Sequence, residues 1–560
     1  MKTKKHYIFL LLTFINLTIF SQTMNWQFLK NAGGTSNDYC NDMCNDKNGN
    51  TIIVGESTSS TVTFDNITYN NPSGSYPISA IIAKYDSTGN LMWSKNYQGS
   101  YGAFKAVNSV AVDSVGNILV IGSFGGDSLK IDNTTLINNS AHADFFVAKF
   151  DPSGNLFWAK NFGGWSYDYG TSIAIDINND VLITGYFYAD TLKMDSITLL
   201  NPNTGCFGDV FVAKINSITG NTIWANRAGG YGKDISNCIN SDKFGNIYIA
   251  GESQISTPMN FGNINLSTAG FSGMFMAKYD NNGQILWAKK AGGTFKDAFY
   301  DLVIDNNGNI YATGRYVGNA SFDTIILPYI GWDDAFVCKY NTSGNVIWAK
   351  AITSSQNDIA TKICHNDNNG NIYVSGFTEN PFLVYGSDTI NTQHGIFVLK
   401  LNAQGDTLYF DLGISSGYAR SSVVSIDKQN NLHLAGSYTS KSLTFAQNSI
   451  LNFDPLVSNY TTDIFTTKNN LNGYVTAIKS MEILDTEYDI YPNPSNDYFS
   501  ISRLKGKSTI SIIDVNGNYI LEEKVNISSK IDIQNIKPGM YFIKIEAGAS
   551  IFYKKLIIAR

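Results

Sequence analysis

From Trp26 onward the apolar residues come in short runs, separated by clusters of Asp, Asn, Gly and Ser. The 3.6-residue spacing of an amphipathic helix is nearly absent. Val110 to Val112 and Ile118 to Ile121 flank the polar stretch Asp113 to Asn117. An Asp at such a turn accepts backbone N–H bonds, and Gly or Asn tolerates the positive φ that a tight hairpin needs. Other runs, such as Phe145 to Ala148, are apolar at every position. A strand that alternates faces shows this pattern when both faces are covered. The chain therefore predicts hairpins whose sheets are packed on both sides.

The pattern repeats. Asp-x-x-(Gly/Asn)-(Asn/Asp) starts at Asp46, Asp113, Asp176, Asp242, Asp305, Asp367 and Asp427. Each is followed by a paired glycine: Gly55, Gly122, Gly185, Gly251, Gly314, Gly376 and Gly436. A second signature lies downstream in each unit. Its lysines are Lys84, Lys149, Lys214, Lys278, Lys339, Lys400 and Lys468. A tryptophan follows at Trp93, Trp158, Trp224, Trp287 and Trp348, with Tyr409 in the sixth unit. Two hairpins make four strands per unit, and the glycine removes a Cβ where backbones approach closely. Seven similar four-stranded sheets predict a β-propeller, with an open β-solenoid as the competing arrangement. Trp26 to Gly34 reads as a fourth strand lacking its first three. It is expected to complete the last sheet beside Asp463 to Lys468, in competition with Tyr474 to Lys479.

The ends differ from the repeats. Lys2, Lys4 and Lys5 precede a short apolar stretch, Tyr7 to Phe20, and the small residue Ser21. This reads as a cleaved signal peptide over 1–21. The repeats occupy 22–480, a polar connection 481–487, and a separate small sandwich 488–560. No other stretch is apolar for long enough to form a membrane-spanning helix, so none is expected in the mature chain. The last 73 residues carry Tyr491-Pro492-Asn493-Pro494, a D-x-x-G turn, a G-x-Y strand at Gly539 and Tyr541, and a basic final strand with Lys554 and Lys555. This block resembles the type A C-terminal sorting domain of the Bacteroidetes type IX secretion system. The resemblance implies recognition by that machinery, passage across the outer membrane, and release or attachment at the cell surface. Residues 24–480 resemble the SBBP repeat family, which implies a seven-bladed propeller. The expected fold is all-β: a seven-bladed β-propeller of four-stranded blades followed by a small C-terminal Ig-like β-sandwich.

Composition narrows the function. Charged residues are 15% and the net charge is −6, so no basic field exists for nucleic acid. The six cysteines match no zinc spacing and read as buried free thiols. Histidines outside the leader are His142, His365, His394 and His433, none in a metal-ligand motif. No nucleophile elbow, P-loop or dinucleotide fingerprint is present. Several fourth-to-first connections read Gly-Gly-x-x-x-Asp. They give Asp38, Asp168, Asp234 and Asp297, with Asp358 in the same place. Five carboxylates on one face would suit a cation such as Ca²⁺, or sugar hydroxyls; the alternative is a strand-capping role. The seven lysines read as strand lysines reaching the surface. Trp165, Tyr167, Tyr231 and Trp332 are candidates for stacking on sugars, or for loop packing. Segments such as Thr63 to Tyr69 and Ser321 to Leu327 suggest an extra hairpin in the second-to-third connections. The sequence points first to a binding or adhesion module with a glycan or surface-protein ligand and no evident catalysis. A polysaccharide-acting enzyme and a structural surface-layer protein are the alternatives.

Overall fold

In the computed structural model, residues 26–559 are described apart from 72–77, 99–103, 139, 141, 203–206, 255–257, 267–272, 294, 381, 387, 392–394, 416–417, 447, 454–460, 471–489, 503–506, 514–518, 526–529 and 548–549. The expected signal peptide, the 481–487 connection, the competing strand Tyr474 to Lys479 and Cys206 lie outside the described residues. All regular structure among the described residues is strand. The chain divides into two compact units, one over 23–473 and one containing 474–560.

The larger unit contains seven antiparallel sheets built on one plan. In sheet one the strands run Asp38–Asn45, Thr51–Ser57, Ser79–Tyr85 and Leu91–Tyr97, each paired with the next. The first strands of the others are Lys105–Val112, Asp168–Ile175, Asp234–Ser241, Ala298–Ile304, Asp358–Asn366 and Tyr418–Ile426. Sheet seven takes its fourth strand from the other end of the chain: Trp26–Gly34 pairs antiparallel with Asp463–Asn470, Ala32 opposite Ile464.

The second and third strands explain the all-apolar runs. Ser79–Tyr85, Asp209–Ile215 and Gly273–Tyr279 are buried at every position. Their two faces serve different neighbours. Ile52, Val54 and Ile82 of sheet one pack with Val107, Val120 and Phe146 of sheet two. Ala435 and Ile464 of sheet seven pack with Ile53 and Ile81 of sheet one. The core is thus a series of inter-sheet layers, and the seventh sheet also meets the first.

A fifth and sixth strand belong to every unit. The hairpins include Thr61–Phe64 with Ile67–Asn70 and Thr191–Met194 with Ile197–Leu200. Each leaves its own sheet and lies beside the outermost strand of the preceding one. Ala32 pairs with Phe64, Ala228 with Phe261, Ile352 with Tyr385 and Gly413 with Phe445. Gly163 bridges Lys193 and Gly292 bridges Ser321. An outer strand would otherwise present open N–H and C=O groups, and the hairpin covers them.

Five of the seven lysines, Lys84, Lys149, Lys214, Lys278 and Lys468, are buried rather than at the surface. Lys84, Lys149 and Lys214 are buried and bind the turn aspartate of their own sheet: Lys84–Asp46 2.9 Å, Lys149–Asp113 3.2 Å, Lys214–Asp176 2.6 Å. Their Nζ atoms also reach the next sheet, donating to Pro152 O, Ser217 O and Asn281 Oδ1. Trp93 and Trp158 Nε1 donate to the same carbonyls, Pro152 O and Ser217 O. The glycine of that next turn, Gly154 or Gly220, has positive φ and lies against the indole. The expectation of surface lysines fails because the partner turn is supplied by the following unit, far away in sequence.

The smaller unit has a three-stranded sheet of Ile490–Tyr491, Tyr498–Ile501 and Lys530–Asp532. Its four-stranded sheet contains Ser508–Ile513, Tyr519–Val525, Gly539–Ala547 and Ser550–Ile558. Phe499, Ile510, Ile512, Ile543, Ile545 and Leu556 form its core.

Candidate functional site

The five sequence-selected aspartates do not converge. Asp38, Asp168, Asp234 and Asp358 open the first strands of different sheets, Asp297 immediately precedes another, and all five are buried. Four of them cap the turn that delivers them. Asp38 Oδ2 accepts Gly34 N at 2.7 Å, Asp168 Oδ2 accepts Gly164 N at 2.6 Å, and Asp234 Oδ2 accepts Gly230 N at 2.8 Å. Asp297 binds Gly293 N and Val317 N. Asp358 interacts with Ser354 and Thr378. Burial raises these carboxyls: Asp38, Asp234 and Asp358 to about 7, Asp168 to about 8 and Asp297 to about 6.

Four of them have a neighbour that the repeat pattern did not reveal. Asp144, Asp209, Asp334 and Asp463 lie on the third strand of the preceding sheet. Asp144 raises Asp168, Asp209 raises Asp234 and Asp334 raises Asp358. The glycine pair explains the approach. A Cβ on Gly163 would fall 2.1 Å from Asp144 Oδ1, while the next residue, Gly164, donates to Asp168. Gly33 would meet both Asp463 Oδ1 and Asp38 Oδ2. The signal was in the sequence as an Asp opening the third strand, but it occurs only in some units. Among the described residues no three His, Cys, Asp or Glu side chains gather as a metal cluster.

On the same side of sheets two to four the side chains cease to repeat. The residue after the repeated glycine is Glu56, Ser123, Tyr186, Glu252, Arg315, Phe377 and Ser437 in successive units. Burial raises Glu56 to about 7. Tyr169 stands opposite Tyr186 in the strand register. Their rings are 5.1 Å apart, Tyr167 lies 6.1 Å from Tyr169 and nearly parallel, and Tyr188 lies 5.9 Å from Tyr186. His142 packs 4.5 Å from Tyr167. Lys233 Nζ sits 5.7 Å from the Tyr186 ring centre. Glu252 acts electrostatically on Tyr186, Tyr188 and Arg315. A cavity of about 290 Å³ lies nearby, lined by Arg227, Tyr231, Asn260 and Asn265 among others. Phe207 links Tyr231 to this region, and Gly208 lies against Tyr186 and Tyr188. Of the four sequence-selected aromatics, Tyr167 and Tyr231 belong to this surface. Trp165 and Trp332 are exposed, and Trp332 O accepts Tyr329 OH.

The first strands carry their own polar contact. Lys362 of sheet six binds Asp42 of sheet one at 2.9 Å and approaches Asp301 of sheet five at 3.7 Å. The two carboxylates hold the Lys362 ammonium well above the usual lysine range. Burial pushes the thiols of Cys40, Cys44, Cys238, Cys338 and Cys364 up and keeps them protonated.

In the smaller unit the Tyr491-to-Pro494 segment docks on the last strand. Asn493 Oδ1 accepts Ile557 N at 2.8 Å, and Ser495 N donates to Ile557 O at 2.8 Å. Tyr541 OH donates to Lys537 O, and Gly539 pairs with Ile558. Lys554 and Lys555 lie on the last strand, opposite Ile543 and Phe542.

Comparison with known proteins gives distant relatives for the repeats. An uncharacterized WD repeat-containing protein of Acanthamoeba polyphaga mimivirus is 24% identical over 440 residues, 65% of this chain and 31% of that protein. Regulatory protein FlaEY of Caulobacter vibrioides is 22% identical over 354 residues, 58% of this chain and 35% of that protein. The chain thus spans about a third of the length of these relatives. Among solved structures, a Dyadobacter fermentans protein of unknown function is 9% identical with a TM-score of 0.32, covering 79% of this chain and 99% of that one. An acylaminoacyl peptidase of Pyrococcus horikoshii is 11% identical with a TM-score of 0.36, covering 91% and 58%. Residues 489–559 match the family described as Secretion system C-terminal sorting domain. That domain marks proteins secreted by the type IX system, and it assigns this chain to the cell surface or the extracellular space.

Proposed function

We propose that residues 24–480 form a closed seven-bladed β-propeller of SBBP type. We propose further that the exported protein is a binding module that takes saccharide on the tyrosine surface of sheets two to four. The seven repeated sheets, the contact of the seventh with the first, and the WD-repeat relative support the propeller reading. The residues after 488 then form an Ig-like sandwich that hands the chain to the secretion machinery. One observation carries the binding reading. Tyr167, Tyr169, Tyr186 and Tyr188 form a two-by-two patch at non-repeated positions, with Lys233, Glu252 and Arg315 around it. Repeated positions serve the architecture; positions that vary between units are free to serve a ligand. Aromatic faces accept the apolar faces of sugar rings, and flanking charged groups bind hydroxyls.

The test is glycan-array binding by the full exported chain and by Tyr167→Ala and Tyr186→Ala variants. The expected result is saturable binding weakened at least 10-fold by each substitution. Binding that survives both unchanged, or no binding to any glycan, would sink the reading.

A further inference from the structure

We infer that the carboxyl pair Asp144 and Asp168, where sheet two meets sheet three, is a binding site for a small hard cation of the Ca²⁺ class. This inference does not depend on the saccharide reading. Both carboxyls come to one dipeptide: Asp144 lies against Gly163, and Asp168 accepts the amide of Gly164. Asp144 is 2% exposed and Asp168 0%. Asp144 Oδ2 accepts Asn161 Nδ2, while Asp144 Oδ1 is buried with no hydrogen-bond partner among the described residues. Asp168 is held by backbone amides alone. Neither has a basic side chain among its interactions. A buried carboxylate oxygen without a donor costs free energy that a bound cation would recover.

The next junction supplies an internal comparison. There Asp209 lies against Gly229, and Asp234 accepts Gly230 N. The geometry is similar, with two differences: Arg227 stands where sheet two has Asn161, and Ser253 Oγ donates to Asp234 Oδ1 where Phe187 stands opposite Asp168, whose Oδ1 has no donor among the described residues. Arg227 and Asn161 are both third from the second glycine of their pair. The Arg227 Nε binds Asp209 Oδ2 directly. The protein thus provides its own cation at the Asp209–Asp234 junction, and Asn161 leaves the Asp144–Asp168 junction without one. Carboxylate oxygens are hard ligands suited to Ca²⁺, which accepts main-chain carbonyls and waters at its remaining positions.

The test uses the full chain stripped with EDTA. Ca²⁺ binding is measured by calorimetry, and Tb³⁺ occupancy by luminescence excited through nearby Tyr167 and Tyr169. Saturable Ca²⁺ binding is expected, with a thermal midpoint raised by about 3 °C or more at saturating cation. Asp144→Asn is expected to lower the stoichiometry by one. Arg227→Met is expected to raise it by one, because it uncovers the Asp209–Asp234 pair. Absence of Ca²⁺ binding to the wild-type chain would mean that the pair shares a proton, and would overturn the inference. An unchanged stoichiometry in a natively folded Asp144→Asn variant would do the same. If that variant does not fold, Arg227→Met decides: a folded chain that gains no Ca²⁺ overturns the inference.

Discussion

At the scale of residues, the repeated aspartate and lysine act as one unit. Asp113 Oδ1 accepts the amides of Val115 and Asn117, and Oδ2 faces Lys149. Asp113→Ala removes the turn acceptor and strands a buried ammonium. Loss of one partner of such a pair costs about 3–5 kcal/mol, which chemical denaturation of the full chain should show. Trp158→Phe keeps the packing but loses the bond to Ser217 O, so about 1 kcal/mol is expected. The turn half of this unit was legible because it is local. The lysine half was not, since Lys149 and Ser217 are 68 residues apart. The sixth turn also departs from its motif. Asn366 Oδ1 accepts Asn368 N, the acceptor role that the motif assigns to Asp367, and Asp367 points outward to His365. Five residues rather than four then separate the acceptor from the strand partner Asn371, so an unbroken motif concealed a shifted turn.

At the scale of elements, the hairpins that leave their own sheet set the spacing between neighbours. A Cβ on Gly164 would fall 2.3 Å from Thr191 O and 2.4 Å from Ala189 Cβ. Gly164→Ala is therefore expected to loosen the Thr191–Leu200 hairpin and cost about 1–3 kcal/mol. Limited proteolysis should then cut within that hairpin before the rest of the chain. The sequence showed that the hairpins exist, through recurrent pieces such as Lys193-Met194-Asp195. It did not show where they dock, because register across two units depends on glycines whose role is to be small. The candidate aspartates have the same history. Their spacing was readable, but their partners Asp144 and Asp209 were not, since each belongs to the preceding unit.

At the scale of the whole molecule, the raised carboxyls set a pH dependence. Asp38, Asp168, Asp234 and Asp358 hold a proton to about 7 or 8 when folded. Unfolded, they release it near 4. Between those values the folded chain binds more protons, so stability falls as pH rises from about 4 to about 8. The turn aspartates Asp46, Asp113, Asp305 and Asp427 are lowered and act oppositely, losing their contribution under more acid conditions. In EDTA, the melting midpoint of the full chain should be higher at pH 5 than at pH 8. The reverse order would show that burial does not govern these groups. Export is separable from all of this. Removing residues 489–559 should leave the repeats behind the outer membrane, as cell fractionation would show.

The completion of sheet seven by Trp26–Gly34 has a kinetic consequence. Ala32 meets Ile464 across more than four hundred residues, and Phe28 takes the tryptophan's place against Gly89 while Lys468 donates to Ser87 O. Sheet seven has no third-to-fourth turn, which is why Tyr409 of sheet six has no glycine of this kind to cover. Closing so long a loop costs about 5 kcal/mol of chain entropy before any contact repays it, and such non-local pairing is slow. The last seam therefore cannot form before residues 463–470 have emerged. Sheets one to six each draw their four main strands from successive stretches of the chain, so the pairing of Trp26–Gly34 is expected to be the last step of folding.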